Sequence, residues 1–241
     1  MDTIIKISNG LVRRGSHTIL QIPQLSIEQS ECVALIGPNG AGKTTLLKLC
    51  GGLIRPSRGH VQLGSRLNRT KIGYIPQQAE YSAHLPFTVR EVVAMGRNTP
   101  ANLFRRLTKT DHEIADFWLS EMGLTDRQNQ TFRSLSGGQQ QKALIARAMT
   151  AEPKLLLLDE PGSNLDPGWK SQLKNILNQL YDKYRMTILL ISHELNLIPA
   201  CCRRLIFLDR GTIFTDGNRQ QVLETEPACR LFGLPLSQET N

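Results

Sequence analysis

GPNGAGKT, residues 37 to 44, places three glycines, a lysine and a threonine directly after the apolar run CVALI and directly before a leucine-rich helical stretch. Gly37, Gly40 and Gly42 permit a turn tight enough for consecutive amides to converge on phosphate oxygens, and a helix beginning near Lys43 adds the positive end of its dipole. Lys43 is expected to reach the β- and γ-phosphates of a nucleoside triphosphate, and Thr44 to offer its hydroxyl to Mg²⁺, a hard cation that shares the phosphate charge. Pro38, Asn39 and Ala41 within the loop, and Thr45 behind it, are expected to line the same nucleotide. With glycine at roughly 7% of residues, such a pattern arises by accident in about one chain of this size in a hundred. The strand before it and the helix after it are the context the motif requires.

KLLLLDEP, residues 154 to 161, is an aliphatic strand ending in two acids. Asp159 and Glu160 emerge at the carboxyl edge of a parallel sheet, where ligands bind. Asp159 is expected to orient the Mg²⁺ shell, and Glu160, facing the other way, to polarise an attacking water as general base. A third segment, LSGGQQQ at residues 135 to 141, stands before a long helical stretch. Ser136 there reads as an N-cap, and Gly137 and Gly138 leave amides uncovered for an anion, a second phosphate grip in one chain.

These segments need elements to position them. TIIKIS, HTILQI, LSIE and ECVALIG read as short strands separated by turn residues. From KTTLLKLCGGL the spacing is helical and ends at Gly51 and Gly52. TVREVVAMGR, DHEIADFWLSEMGL and SGGQQQKALIARAMTA all carry helical spacing, marking a helical insertion over residues 88–150. KLLLLDEP, WKSQLKNILNQLYDKY and TILLISH then alternate strand, helix, strand, as in a parallel sheet buried on both faces. RRLIFLDRGTIFTDG reads as a hairpin closed at Asp209, Arg210 and Gly211, followed by the short helix RQQVLE.

The chain of 241 residues, 40% hydrophobic and 21% charged, suits one large α/β domain with an insertion. No apolar run approaches the roughly 20 residues that span a bilayer, and the first residues, MDTIIKISNG, do not read as a signal peptide. A net charge of +8 points to an anionic partner, nucleic acid or a membrane face, and aromatic content of 5% without basic–aromatic interleaving favours the membrane. Cys32, Cys50, Cys201, Cys202 and Cys229 form no CxxC pair and have aliphatic neighbours, so they are expected to be buried thiols without a metal or redox role.

The phosphate loop, the glutamine of YIPQ, LSGGQQQ, LLLLDEP, SNLD and ISHE follow one another in the order and at about the spacing of the ATP-binding subunits of ABC transporters. The chain resembles that family over essentially its whole length. The resemblance implies a P-loop NTPase with a RecA-like mixed sheet, an N-terminal antiparallel β-subdomain and an inserted helical subdomain. It implies one ATP-binding domain, with residues 1–87 and 151–241 as catalytic core and 88–150 as helical subdomain.

It further implies a head-to-tail dimer, in which Ser136, Gly137, Gly138 and Gln139 close over the partner's ATP and Asp166 lies across the seam. By the same resemblance Gln77 senses Mg²⁺ and the membrane subunit, and His193 contacts the γ-phosphate. Glu194 stands where the family more often has aspartate. Arg14 stands where it usually has an aromatic residue to stack on adenine, and a guanidinium plane can stack there instead.

Residues 79–97 correspond to the family's docking segment for its membrane partner. TVREVVAMGR with the triple glutamine resembles the ATPases of zinc, manganese or iron importers, the preferred group, which implies ATP hydrolysis coupled to metal-ion uptake, and also those for siderophores, haem and cobalamin. His84 in this segment reads as a surface residue. The expected assembly has two permease subunits and, indirectly, an extracytoplasmic binding protein, with no nucleic acid, on the cytoplasmic face of the membrane. A soluble ABC-type ATPase would share the catalytic motifs. A P-loop kinase would leave LSGGQQQ without a purpose.

Overall fold

The computed structural model describes residues 2–65, 67, 71–77, 87–98, 105–163 and 165–235. Residues 79–86 of the docking segment, including His84, lie outside them. Five parallel strands and one antiparallel strand form the central sheet: β3 (Cys32–Ile36), β5 (Ile72–Ile75), β6 (Leu155–Asp159), β7 (Thr187–Ile191), β8 (Arg204–Asp209) and β9 (Thr212–Asn218). Their order is β5-β6-β7-β3-β8-β9, with β9 antiparallel to β8. Every residue of β3, β6 and β7 is buried, which explains why these strands read as unbroken aliphatic runs.

The pleat divides those side chains between two cores. Ala34, Leu156, Leu158, Ile188, Leu190 and Phe207 pack on one side with α2 (Val89–Ala94), α3 (Lys109–Glu121), α4 (Gly137–Thr150) and α5 (Pro167–Tyr184). Val33, Leu35, Leu155, Leu157, Leu189 and Ile206 pack on the other with α1 (Lys43–Cys50) and a second sheet. That second sheet is antiparallel, in the order β2-β1-β4, from β1 (Thr3–Arg14), β2 (His17–Glu28) and β4 (Arg58–Leu63). Among the described residues no helix is long and apolar enough to cross a membrane.

HTILQI and LSIE, expected as two strands, are the single strand β2. Pro23 between them lacks an N–H, yet β2 is an edge strand, and an edge tolerates one missing donor. Among the described residues, three strands or helices were not expected from the sequence: β4, whose inward positions Gly59, Val61 and Leu63 are only half-buried, β5, which has only four residues, and α7 (Glu226–Phe232), which follows the expected short helix α6 (Arg219–Leu223). Gly73 in β5 explains a close approach there, since a Cβ would come within 3.0 Å of Leu156 Cδ1 and 3.3 Å of Ala148 Cβ.

The cysteines depart most from expectation. Cys50 and Cys229 are buried free thiols, but Cys32 and Cys202 are paired as a disulfide, with Cys201 Sγ 3.4 Å from Cys32 Sγ. The sequence separation of 170 residues hides this meeting, because only the pairing of β3 with β8 brings the segments together.

Candidate functional site

Parallel pairing places the carboxyl ends of β3, β5, β6, β7 and β8 along one edge of the sheet. From that edge emerge Gly37 after β3, Gln77 after β5, Glu160 after β6 and His193 after β7, with Asp159 as the last residue of β6.

The phosphate loop folds as its glycines predict. Gly37, Gly40 and Gly42 have φ of 141°, 78° and 95°, a region costly for residues with a Cβ. Gly37 is also pressed on β8, where a Cβ would lie 2.1 Å from Leu208 O, while nothing lies within 4 Å of one at Gly40. The loop therefore backs tightly onto the sheet and is open at its crest, where Asn39 and Gly40 are exposed. Ala41 is buried and Pro38 half-buried beneath them. Gly42 is the N-cap of α1, so the helix starts at Lys43 with Thr44 and Thr45 in its first turn.

Lys43 is 6% exposed, and its Nζ donates to Gly37 O at 2.9 Å and Pro38 O at 2.8 Å. Burial pulls this ammonium below its ordinary pKa, while the charges of Glu160 and Asp159 act the other way. Thr44 Oγ1 donates to Asp159 Oδ1 at 2.9 Å, and Tyr74 OH donates to Oδ2 at 3.3 Å. Asp159 is 3% exposed, and burial raises its pKa despite these two hydroxyls. A buried carboxylate bonded to neutral hydroxyls, beside a threonine oxygen, fits the hard oxygen donor set of Mg²⁺. Tyr74 is a site neighbour that sequence reasoning missed. Its phenol is pushed up to about 12 by burial and by Asp159, and its signal was its position three residues before Gln77.

Glu160 adopts φ 50°, an uncommon left-handed backbone for a residue with a side chain. Gln77 Nε2 donates to its Oε2 at 2.7 Å, and His193 Nε2 contacts its Oε1. The histidine turn is itself fixed: Lys170 Nζ bonds both oxygens of Glu194 at 2.6 and 2.8 Å, and Ser192 Oγ donates to Glu194 O at 2.8 Å. Lys170 carried no sequence signal beyond its place in a helix.

Ser136 caps α4, with its Oγ accepting from Gln139 N–H at 3.4 Å and Gln139 Oε1 accepting from Ser136 N–H at 3.0 Å. Ser136 and Gly137 are exposed. The two glycines allow a close fit to the start of α5, because a Cβ on Gly137 would lie 2.8 Å from Leu165 Cδ2 and one on Gly138 3.0 Å from the Trp169 ring. Asp166 is the N-cap of α5, its Oδ1 accepting from Trp169 N–H at 2.9 Å. Arg14 is exposed at the end of β1, paired in register with His17 across the Gly15–Ser16 turn.

This fold, with a glycine loop and two acids at one sheet edge, is that of a P-loop ATPase. The model of the ABC transporter family matches residues 20–163, and the chain belongs to that family. It is 36% identical over 231 residues to a Chlamydia trachomatis protein named "Probable metal transport system ATP-binding protein", covering 94% of this chain and 96% of that protein. It is 33% identical over 232 residues to the zinc import ATP-binding protein ZnuC of Pseudomonas putida, covering 96% and 84%. Among solved structures, a metal-chelate type ABC transporter in an inward-facing conformation superposes with TM-score 0.85 at 31% identity, covering 97% of this chain and 90% of that one. A dimeric bacterial ABC transporter cassette superposes with TM-score 0.75 at 27% identity, covering 89% and 98%.

Proposed function

We propose that this chain is the ATP-hydrolysing subunit of a metal-ion importer, bound to permease subunits at the cytoplasmic face of a membrane. Its near full-length similarity to metal and zinc transport ATP-binding proteins carries the cargo class. TVREVVAMGR and the triple glutamine support it.

The chemistry follows from the edge geometry. The amides of Gly37 to Gly42 and the start of α1 bind the phosphates, and Lys43 swings one or more of its donors from the loop carbonyls to the β- and γ-oxygens. Magnesium, when bound, neutralises charge on the transferred group, and Thr44 and Asp159 are the residues to hold it, with Gln77 beside them. Glu160 accepts a proton from water as the oxygen attacks the γ-phosphorus. The bond to the β-phosphate oxygen breaks, giving ADP and phosphate. His193 and Gln77 hold the two oxygens of Glu160 and orient the water or contact the γ-phosphate.

Two chains pair head to tail, so that Ser136, Gly137, Gly138 and Gln139 of one meet the γ-phosphate on the other, with Asp166 at the seam. The exposure of Ser136 and Gly137 at a helix start supports this reading. Closure is then stabilised by ATP and not by ADP, and that difference in affinity drives the attached membrane subunits.

The test is copurification in detergent followed by reconstitution. The chain is expected to bring down a multispanning permease and to hydrolyse ATP faster when Zn²⁺, Mn²⁺ or Fe²⁺ is supplied with the cognate binding protein. Recovery without any membrane protein would sink the transporter reading. Stimulation by a siderophore or cobalamin in place of the simple ions would redirect the cargo.

A further inference from the structure

We infer that Cys32, Cys201 and Cys202, when reduced, form a three-thiolate binding site for a thiophilic cation, zinc(II) foremost, on the edge of the sheet opposite the nucleotide.

Cys32 opens β3, and Cys201 and Cys202 lie just before β8, which pairs with β3 from Val33 and Arg204 onward. All three therefore sit at the amino ends of parallel strands, whereas Gly37 and Asp159 follow or close the carboxyl ends. Two successive turns aim the adjacent cysteines at Cys32: Cys202 N–H donates to Pro199 O at 3.1 Å and Arg203 N–H to Cys201 O at 3.0 Å. Asn178 Oδ1 in α5 accepts from Cys201 N–H at 3.1 Å and anchors the turn to the helix.

The three sulfurs lie within 4.8 Å of one another, and Cys201 Sγ is 3.4 Å from Cys32 Sγ. Sulfurs bound to one zinc at about 2.3 Å stand about 4 Å apart, so small side-chain adjustments suffice. The donor set is sulfur alone, which selects soft cations and rejects Mg²⁺ and Ca²⁺. Cys32 and Cys202 are 3% and 1% exposed, while Cys201 is partly open to solvent, leaving an entry path and a position for water as fourth ligand.

Loading requires the Cys32–Cys202 bond to be reduced. A dithiol supplies two electrons and two protons, becomes a disulfide, and leaves three thiols. As each sulfur–metal bond forms, its thiol proton passes to solvent. The bound cation would tie the start of the phosphate-loop strand to β8 and, through Cys201, to α5.

The experiment uses the full chain without an affinity tag, reduced with dithiothreitol and desalted without air. Titration with Co²⁺ is expected to give sulfur-to-cobalt charge-transfer absorption saturating at one equivalent, bleached by one equivalent of Zn²⁺. Cys201→Ser, the mildest change because that residue is partly exposed, should weaken binding at least about tenfold. Cys50→Ser and Cys229→Ser should not change it. A second readout needs no variant: Zn²⁺ should raise the melting temperature of the reduced chain and not of the oxidised one. Absence of the charge-transfer band in the reduced wild-type chain, an equal band in Cys32→Ser and Cys201→Ser, or equal thermal shifts in both redox states would overturn the site.

Discussion

The side-chain amide of Gln77 donates a 2.7 Å hydrogen bond to Oε2 of Glu160, joining residues 83 positions apart at the ends of neighbouring strands. With His193 on the other oxygen, the carboxylate is held from both sides.

Glu160→Gln keeps the shape of this arrangement and removes the proposed proton acceptor. Phosphate release is expected to fall at least about a hundredfold, while ATP affinity stays within about twofold, since the phosphate loop is untouched. With ATP present the variant should elute from a sizing column as a dimer. Rapid continued hydrolysis would remove Glu160 as the base.

Chains carrying Lys43→Ala and Ser136→Arg should each be inactive alone and recover activity when mixed. In the mixed dimer, the phosphate loop of the Ser136→Arg chain meets the intact signature of the Lys43→Ala chain. One working site forms, giving up to about half the activity of a wild-type dimer if the two sites act independently. No recovery, with heterodimer formation verified by differential tagging, would place the signature within its own chain.

Asp159→Asn should separate stability from function. The folded-state pKa of Asp159 lies above its unfolded value, so its contribution is full below the unfolded value and is lost as pH rises through the folded one. At neutral pH the ionised group therefore costs stability. Its neutral isostere should raise the melting temperature of the nucleotide-free chain at neutral pH. Mg²⁺-dependent ATP hydrolysis should collapse at the same time. A lower melting temperature measured above pH 7 would contradict this account of burial.

Arg14→Ala should weaken ATP binding about two- to fivefold, the range for an exposed cation–π contact. Arg14→Tyr should restore binding, because an aromatic ring supplies the same stacking face. Equal ATP affinities in wild type and both variants would show that the base is held elsewhere.

The phosphate loop was legible because its chemistry is local: three glycines, a lysine and a threonine within eight positions dictate both backbone and ligand. The strands leading to Asp159 and His193 were legible because burial on both faces leaves an unbroken aliphatic run. Tyr74 was not, since its bond to Asp159 depends on β5 pairing with β6, and a four-residue strand containing glycine has little periodicity to read. The break expected between HTILQI and LSIE is one that the edge strand β2 does not make. The cysteines illustrate the same limit, since a spacing rule looks along the chain and these three meet across it.

The left-handed backbone at Glu160 bears on how such a protein can change. Glycine would relax at this position, just as asparagine would be more comfortable than a buried acid at Asp159. A laboratory selection for heat resistance that did not also demand turnover would therefore drift away from both acids, and the hardiest descendants would be ones that grip nucleotide without consuming it.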